Sequence, residues 1–153
     1  MRAQPSKMNH STGLMMDAAE IQRVIRAGLP SASNFFVEEV RDRSVQIRLA
    51  FEPRMLRPGN LVSGPALFTA ADAAMYALVM AHRGPLLMAV TTDMTLHFLN
   101  AAPAGDVIAE ARMLRLGQRL AVMEVLLHTG PERTFVAHVT GTYALPRPKA
   151  PKA

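Results

Sequence analysis

Hydrophobic and polar residues recur along the chain in two periods, and these periods predict its elements. Residues 17–30, DAAEIQRVIRAGLP, have the spacing of one helix face at three apolar positions: Ile21, Val24 and Ile25. Asp17 can cap this helix, with Glu20 three residues later as in a capping box. Gly28 ends the helix. We therefore predict a short amphipathic helix near the N-terminus.

A period of two follows. The segment SVQIRLAF alternates buried-type residues with polar or small ones, at Val45, Ile47, Leu49 and Phe51. This pattern predicts a strand with one buried face. The preceding segment, NFFVEEV, is joined to it by the polar turn 41–43, so we predict that the two form a hairpin. Residues 53–64, rich in Pro and Gly, are predicted to be a loop.

A long apolar segment, ALFTAADAAMYALVMAH, comes next, with Pro65 at the first helical position. It is apolar almost all round, so we predict a helix buried on every side. Four strand patterns follow. The first covers 87–99, with Met88, Val90, Met94, Leu96 and Phe98 on one face. The others are DVIAEARMLRL, RLAVMEVLLH and TFVAHVTGTYAL, and Gly117-Gln118 between the first two of these indicates a two-residue hairpin.

The order is helix, two strands, a long buried helix and four strands. It predicts an α+β fold in which an antiparallel sheet curls around the long helix. We expect a single domain at 14–145, a flexible N-terminal tail at 1–13 and a flexible basic C-terminal tail at 146–153.

The amino-acid composition excludes several classes of protein. Half of the 153 residues are apolar, which is too many for a disordered chain, and there is no Cys for disulfides, thiolate catalysis or Cys-bound zinc. The net charge of +5 invites a nucleic-acid hypothesis. However, 14–145 hold twelve Arg and all twelve acidic residues, so the excess charge is in the tails. With 5% aromatic residues and no Trp, we expect no nucleic-acid partner.

The N-terminus is polar and lacks the apolar core of a signal peptide. The most apolar stretch, 66–81, is shorter than the ~20 residues of a membrane-spanning helix, and it contains Asp72. We therefore expect a cytoplasmic protein that does not associate with membranes.

Asp72 is the one carboxylate in the long helix, and it shares a stripe with Thr69 and Tyr76. An isolated buried carboxylate costs several kcal/mol, of the order of a domain's whole stability, so this residue lies on a wet face or is kept for chemistry. Hydrogen bonding to a nearby loop is the structural alternative. Ser63-Gly64-Pro65, at the start of the helix, offers a backbone N–H where the helix dipole favours negative charge, as an oxyanion site requires.

Four ordered segments carry a resemblance to a known family: SGPALFTAADAAMYALV, AVTTDMTLHFL, GDVIAEARMLRLGQRLAVMEVLL and VAHVTGTYAL. Over roughly 35–145 the chain resembles the hotdog-fold acyl-CoA thioesterases of the phenylacetate-degradation (PaaI-like) group. The resemblance implies a long central helix wrapped by a curved antiparallel sheet. It also implies homodimers, often paired into homotetramers, with active sites between subunits.

The family opens this helix with His-Gly-Gly and places its catalytic acid nine residues after the His. Asp72 stands nine residues after Ser63, so the resemblance implies that it activates water or attacks the thioester carbonyl. It also implies that the Gly64 N–H polarises the carbonyl oxygen. Thr91, or else its neighbour Thr92, would place the water. These roles require no cofactor.

Ser63 replaces the family His, and Arg57 stands where related enzymes often have Asn. A non-catalytic acyl-CoA binding or regulatory protein is therefore the alternative function. Arg57 could hold a carboxylate or phosphate of the substrate, and Asn60 and Tyr76 are further candidates for substrate contact. The hairpin RLGQRLA resembles the family's hairpin near CoA, so Arg115, Gly117 and Arg119 are candidates for contact with its phosphates, or are solvated.

Other chemistries have no signal. The five His lack the spacing of a metal motif, so no metal site is expected. No G-x-S-x-G elbow, phosphate loop or dinucleotide fingerprint is present. The function that the resemblance implies is that of an acyl-CoA thioesterase whose catalytic group is Asp72.

Overall fold

The structure is a computed structural model that describes residues 13–29 and 32–147. Most of the two tails expected from the sequence, at 1–12 and 148–153, lies outside the described residues. The described elements are two helices and eight strands. In chain order they are α1 (Ala18–Gly28), β1 (Phe35–Arg41), β2 (Ser44–Leu49), β3 (Leu56–Arg57), β4 (Leu61–Val62), α2 (Gly64–Arg83), β5 (Val90–Phe98), β6 (Val107–Leu116), β7 (Leu120–Thr129) and β8 (Phe135–Ala144).

Six strands form one antiparallel sheet in the order β1-β2-β6-β7-β8-β5. The long helix α2 packs on the buried face of this sheet, and its segment 77–81 is fully buried. This is the predicted hotdog arrangement of a central helix wrapped by a curved antiparallel sheet. Burial of one sheet face against the apolar helix supplies the core.

The capping box of α1 is present. The Asp17 side chain accepts a hydrogen bond from the Glu20 N–H at 2.9 Å, and the Glu20 side chain accepts one from the Asp17 N–H at 2.8 Å. The buried residues of α1 are Ile21 and Ile25. The β1–β2 hairpin is also confirmed, with Val45, Ile47 and Leu49 buried in β2.

Residues 53–64 are more ordered than the loop that their Pro and Gly content predicts. They hold a 3-10 turn at Pro53–Met55 and the two-stranded ribbon β3–β4, whose turn contains Gly59 and Asn60 at positive φ. Asn is one of the residues that tolerate this conformation without a large steric cost. The ribbon leads directly into α2.

Strand β5 differs from its prediction. It begins at Val90, so Met88 lies before it, and the pairing with β8 has a bulge between Thr91 and Asp93. A bulge adds one residue and so changes which side chains share a face. Met94, Leu96 and Phe98 share the face toward α2 after the bulge, although Phe98 stays exposed, whereas Val90 before the bulge lies on the other face. The predicted single face from Met88 to Phe98 is therefore wrong.

The β6–β7 turn is also longer than predicted. Three residues, Gly117, Gln118 and Arg119, separate the two strands instead of two. The Gly117 N–H donates to the carbonyl of Leu120 at 2.8 Å and closes the turn.

Helix α2 is not buried on every side, which corrects the prediction from its composition. Its N-terminal half leaves an exposed or half-buried stripe, the open face, at Pro65, Phe68, Thr69, Asp72, Ala73 and Tyr76. The helix is long and apolar enough to cross a membrane by length and composition alone, but 61% of its apolar window is buried inside the fold. It is the core helix of this fold.

Candidate active site

Asp72 lies in the middle of α2, on the open face, and its carboxylate is held by two hydroxyl groups. Thr91 Oγ1 donates to Asp72 Oδ1 at 2.8 Å, and the Tyr143 hydroxyl donates to the same oxygen at 2.7 Å. Among the described residues, no basic side chain lies within 4.0 Å of this carboxylate. The charge of Asp72 is therefore stabilised by hydroxyl donors rather than by an ion pair.

The β5 bulge determines which threonine reaches Asp72. Thr91 precedes the bulge and points at α2, whereas the Thr92 hydroxyl bonds to the Thr142 carbonyl at 3.1 Å and lies 3.2 Å from Asp93 Oδ2. Of the two threonines that the sequence left open, Thr91 is the one in contact with the carboxylate.

Tyr143, which sequence reasoning did not select, completes the contacts of Asp72. It lies on β8, is 3% exposed, and its hydroxyl is also 3.1 Å from the main-chain oxygen of Asp72. Burial, with a further contribution from the Asp72 contact, strongly raises the pKa of Tyr143, so its hydroxyl stays protonated and can donate. Tyr143 is distant from Asp72 in sequence, and the alternating pattern of its strand predicts only that the tyrosine is buried in the core.

Tyr76 belongs to the same cluster through its ring. The Tyr76 and Tyr143 rings stack with their centroids 6.2 Å apart and an interplanar angle of 16°. The Tyr76 hydroxyl bonds to the Leu86 carbonyl at 3.4 Å, and burial raises the pKa of Tyr76. Tyr76 therefore supports the site by packing and makes no hydrogen bond to Asp72. The Thr69 hydroxyl bonds to the Pro65 carbonyl of its own helix at 3.0 Å.

A glycine on β8 lets the helix approach the strand that carries Tyr143. A side chain at Gly141 would place its Cβ 2.7 Å from Met75 Sδ and 3.2 Å from the main-chain oxygen of Asp93. Met75 lies one helical turn after Asp72, and Gly141 lies two residues before Tyr143 on the same strand face. The missing side chain at Gly141 therefore lets α2 sit close enough for the Asp72–Tyr143 contact.

The N-terminus of α2 presents one available backbone donor. The Ser63 side chain caps the helix by accepting from the Ala66 N–H at 3.3 Å, Pro65 has no N–H, and the Leu67 N–H bonds to the Ser63 carbonyl. Within the described part of the chain, the Gly64 N–H has no acceptor. Phe98 packs over Gly64, 3.4 Å from the position a Cβ would take. The Gly64 N–H is thus a candidate oxyanion donor in apolar surroundings.

Arg57 and Asn60 lie on the β3–β4 ribbon near Gly64. Both are exposed, and Arg57 lines a shallow surface depression together with Gly64 and Phe98. No carboxylate among the described residues lies within ion-pair distance of Arg57. Its guanidinium is therefore available to an anionic group near the start of α2.

Arg115, Gly117 and Arg119 lie at the β6–β7 turn, away from the carboxylate. Leu116 pairs with Ala121, and Ala121 pairs with Tyr143. At about 5 Å per strand, the turn lies ~10 Å across the sheet from Tyr143. Arg83 and Arg43 also reach this end, donating to carbonyls of the turn and of β6. None of these four arginines has a carboxylate within 4.0 Å among the described residues.

An apolar cleft of about 370 Å³ opens beside the open face of α2, between α1, β1 and the 53–55 turn. We call it the α1 cleft. Its apolar walls include Ile25, Leu29, Phe35, Leu49, Met55 and Ala66. Thr69 and Ala73 line it on the α2 side, and both neighbour Asp72 on the helix surface. In the described residues, no group of three His, Cys, Asp or Glu side chains could hold a metal ion.

Known proteins match this chain over most of its length. A model of the thioesterase superfamily matches residues 59–136. The chain is 35% identical to a candidate thioesterase of known structure from a Silicibacter species, with a TM-score of 0.81, covering 90% of this chain and 96% of that one.

Two further relatives are more distant in sequence. The chain is 24% identical over 134 residues to a candidate esterase of Thermoplasma acidophilum, covering 87% of this chain and all of the relative. The Escherichia coli PaaI protein from the phenylacetic acid degradation operon shares the fold, at 18% identity and a TM-score of 0.70, covering 86% of this chain and 96% of PaaI. The segment 59–136 includes Gly64, Asp72 and Thr91 but not Tyr143.

Proposed function

The chain belongs to the thioesterase superfamily, whose reaction is thioester hydrolysis, and on this premise we propose that it hydrolyses acyl-CoA thioesters at a site shared by two copies of the chain. The observation that carries the proposal is the Asp72 carboxylate, held at Oδ1 by Thr91 and Tyr143 on the open face of the core helix. A thioester is reactive enough for one such carboxylate and one oxyanion donor to suffice.

Asp72 acts in one of two ways. As a general base, it takes a proton from water while the water oxygen attacks the thioester carbonyl; the tetrahedral oxyanion then collapses and expels the CoA thiolate, which takes up the proton that Asp72 held. As a nucleophile, it attacks the carbonyl itself, expels the thiolate and leaves a mixed anhydride, which water hydrolyses. In both routes a backbone N–H stabilises the oxyanion. The products are the free acid and CoA.

Helix geometry supports an oxyanion donor from a partner chain in this proposal. Gly64 and Asp72 are eight residues apart on α2, which separates them by about 12 Å along the helix axis. One thioester carbonyl cannot contact both groups of one chain. Two α2 helices that pack antiparallel about a two-fold axis would bring Gly64 of one copy to Asp72 of the other.

Two surfaces support such a dimer. The open face of α2 leaves Phe68 44% exposed beside Asp72. At the edge of the sheet, β5 pairs on one side only within the described chain, and Val90 and Phe98 are more than half exposed. An unpaired edge strand with apolar side chains is normally covered. A homodimer, or a dimer of such dimers, is the assembly we propose.

The α1 cleft is the proposed site of the acyl group. It is apolar, its volume is at the small end of the range for ligand pockets, and it borders Asp72 through Thr69 and Ala73. A short aliphatic or an aryl acyl group suits it better than a long fatty chain. The arginines at the β6–β7 turn, Arg115 and Arg119, are the proposed contacts of the CoA phosphates, with Gly117 between them.

A binding or regulatory protein is the second candidate, because Ser63 uses its hydroxyl to cap α2 and Arg57 stands exposed near Gly64. Arg57, Asn60 and Ser63 would then bind the ligand without chemistry. The same assay separates the two functions. We propose a cytoplasmic location, where acyl-CoA substrates are available.

The test is hydrolysis of a panel of short-chain and aryl-CoA thioesters, followed by free-thiol detection. Replacing Asp72 by Asn keeps the shape of the side chain and removes its basicity, so kcat should fall on the order of 1,000-fold. Asp93→Asn is the matched control, because Asp93 lies on β5 but contacts Thr92 and not Asp72. Calorimetric binding of acyl-CoA by the wild-type protein without thiol release would favour the binding function. Full activity of Asp72→Asn would refute the mechanism.

A further inference from the structure

The two oxygens of the Asp72 carboxylate are not equivalent. Oδ1 receives two hydroxyl donors, Thr91 at 2.8 Å and Tyr143 at 2.7 Å. Oδ2 receives none from the described residues. A carboxylate oxygen has two in-plane lone pairs, so two donors fill Oδ1, whereas Oδ2 keeps its full capacity to accept a proton.

We propose that Tyr143 is a positioning residue that, together with Thr91, holds Oδ1 and leaves Oδ2 as the oxygen that reacts. The proposal rests on the proposed function, since it concerns the same carboxylate. Tyr143 touches neither the thioester nor the water in this arrangement. It acts through Asp72, by fixing the rotation of the carboxylate and by stabilising its charged form.

Three contacts hold the Tyr143 hydroxyl in place. The ring stacks on Tyr76, the Tyr76 hydroxyl ties that ring to the Leu86 carbonyl, and the close approach of Met75 to Gly141 sets the spacing between α2 and β8. The side chain is 3% exposed, so water does not compete for the hydroxyl. A donor in such surroundings stays aimed at its acceptor.

The two hydroxyl groups matter because, among the described residues, no positively charged side chain lies close enough to stabilise the Asp72 carboxylate. The side chains that donate to Asp72 are Thr91 from β5 and Tyr143 from β8, and Tyr76 of α2 stacks on the Tyr143 ring. The other carboxylate on β5, Asp93, follows the bulge and pairs with Thr142, which faces away from α2. The Asp72 carboxylate is therefore held by two neutral donors, and loss of either one should be visible.

The test is Tyr143→Phe, which keeps the ring and its stacking and removes only the hydroxyl. A hydrogen bond to a charged group is worth enough to change kcat by about 10- to 100-fold, whereas KM should change by no more than about 3-fold because the substrate does not touch Tyr143. Thr140→Val is the matched control on β8, since Thr140 is exposed on the other strand face.

A second readout does not depend on turnover. The carbon-13 chemical shift of the Asp72 carboxyl, assigned with Asp72→Asn and recorded at one fixed pH, should differ between Tyr143→Phe and the wild type, because Oδ1 has lost a hydrogen-bond donor. Thr91→Val should change this chemical shift as well, and Thr91→Ser should restore it. An unchanged chemical shift and an unchanged kcat in Tyr143→Phe would overturn the proposal. If the chemical shift changes but the wild type hydrolyses no thioester, the positioning role stands and the proposed function fails.

Discussion

His128 shows how a single buried side chain makes stability depend on pH. It lies at the end of β7, 7% exposed, with its ring edge-on to Phe135 and its Nε2 3.9 Å from Glu110. Burial lowers the pKa of His128 below its ordinary value; Glu110 opposes the shift and Arg133 adds to it. The folded chain therefore keeps this imidazole neutral at a pH where the unfolded chain already protonates it.

The sign of the effect follows from proton linkage. Between the lowered pKa of folded His128 and the unfolded value of about 6.5, the unfolded state binds more protons. The contribution of His128 to the unfolding free energy is therefore fully present above about pH 6.5 and is lost as the pH falls. We predict that His128→Gln flattens the dependence of the unfolding free energy on pH below about 6.5. Denaturant titrations at several pH values measure it.

Thr129→Val controls for a change in packing next to His128. Thr129 is also buried but does not titrate, so its replacement should move the whole stability curve and leave its pH dependence unchanged. An equally steep pH dependence in His128→Gln and wild type would show that another group is responsible.

The sequence could identify Asp72 because burying a carboxylate in an apolar helix is energetically unfavourable, so a purely structural role does not explain it. It could propose Thr91 only by spacing, with Thr92 left open, because a β-bulge leaves no sequence signal and shifts the register by one residue. Tyr143 could not be found at all. Its partner is 71 positions away, and only the packing of α2 on β8 brings the two together.

At the scale of elements, the periodic segments were predicted well and the connections poorly. Both helices, the β1–β2 hairpin and the strands β6, β7 and β8 follow from period and capping. The short ribbon β3–β4 and the three-residue β6–β7 turn do not. Their geometry depends on backbone hydrogen bonds, such as that from Gly117 to Leu120, which side-chain pattern does not encode.

The β6–β7 turn carries a prediction about the substrate. Arg115 and Arg119 have no carboxylate partner among the described residues, so they are free to meet the phosphates of CoA. We predict that Arg115→Ala/Arg119→Ala raises KM for acyl-CoA by about 10-fold or more, because charge-assisted contacts to phosphate are lost. KM for the same acyl group on pantetheine, which lacks the nucleotide, should stay the same. Steady-state kinetics with the two substrates measures both values.

Arg112→Ala/Arg133→Ala is the matched control for net charge. These two arginines form ion pairs with Glu124 and Glu110 on the sheet, so the charge removed is the same but the turn is intact. Its KM for acyl-CoA should remain close to that of the wild type. An equal rise of KM for both thioesters in the turn variant would mean that the turn does not bind the nucleotide.

At the scale of the whole molecule, one chain forms a fold and half of each proposed site. The helix predicted as buried on every side has an open face, because apolar composition does not tell which of its residues the sheet covers. Phe68, exposed beside Asp72, is the clearest example. The sequence alone gave no measure of which α2 residues the sheet covers.

Subunit complementation tests the shared site. We predict that Asp72→Asn and Gly64→Pro homodimers are each inactive, whereas mixed dimers recover up to half of the wild-type activity, because one of their two sites pairs an intact Asp72 with an intact Gly64. Differently tagged chains, co-expressed and purified through both tags, give the mixed dimer for thiol-release assays.

A second Gly64 variant keeps this test decisive. Should Gly64→Pro disturb the start of α2, Gly64→Val retains the N–H and instead crowds the space beside Phe98. Circular dichroism and sizing of each parent confirm the fold before mixing. Absence of recovery in well-folded mixed dimers would place both groups in one chain or remove Gly64 from the mechanism.

The separation of Gly64 and Asp72 by eight positions also makes activity depend on assembly. If neither chain can assemble a site alone, catalysis is subject to mass action: in dilute solution the fraction of competent enzyme is set by the dissociation constant of the dimer. A thioester that binds across the two chains would then draw monomers together. The supply of substrate would therefore set the fraction of chains that are in the active dimer. The spacing of two residues along one helix would in this way couple assembly to turnover.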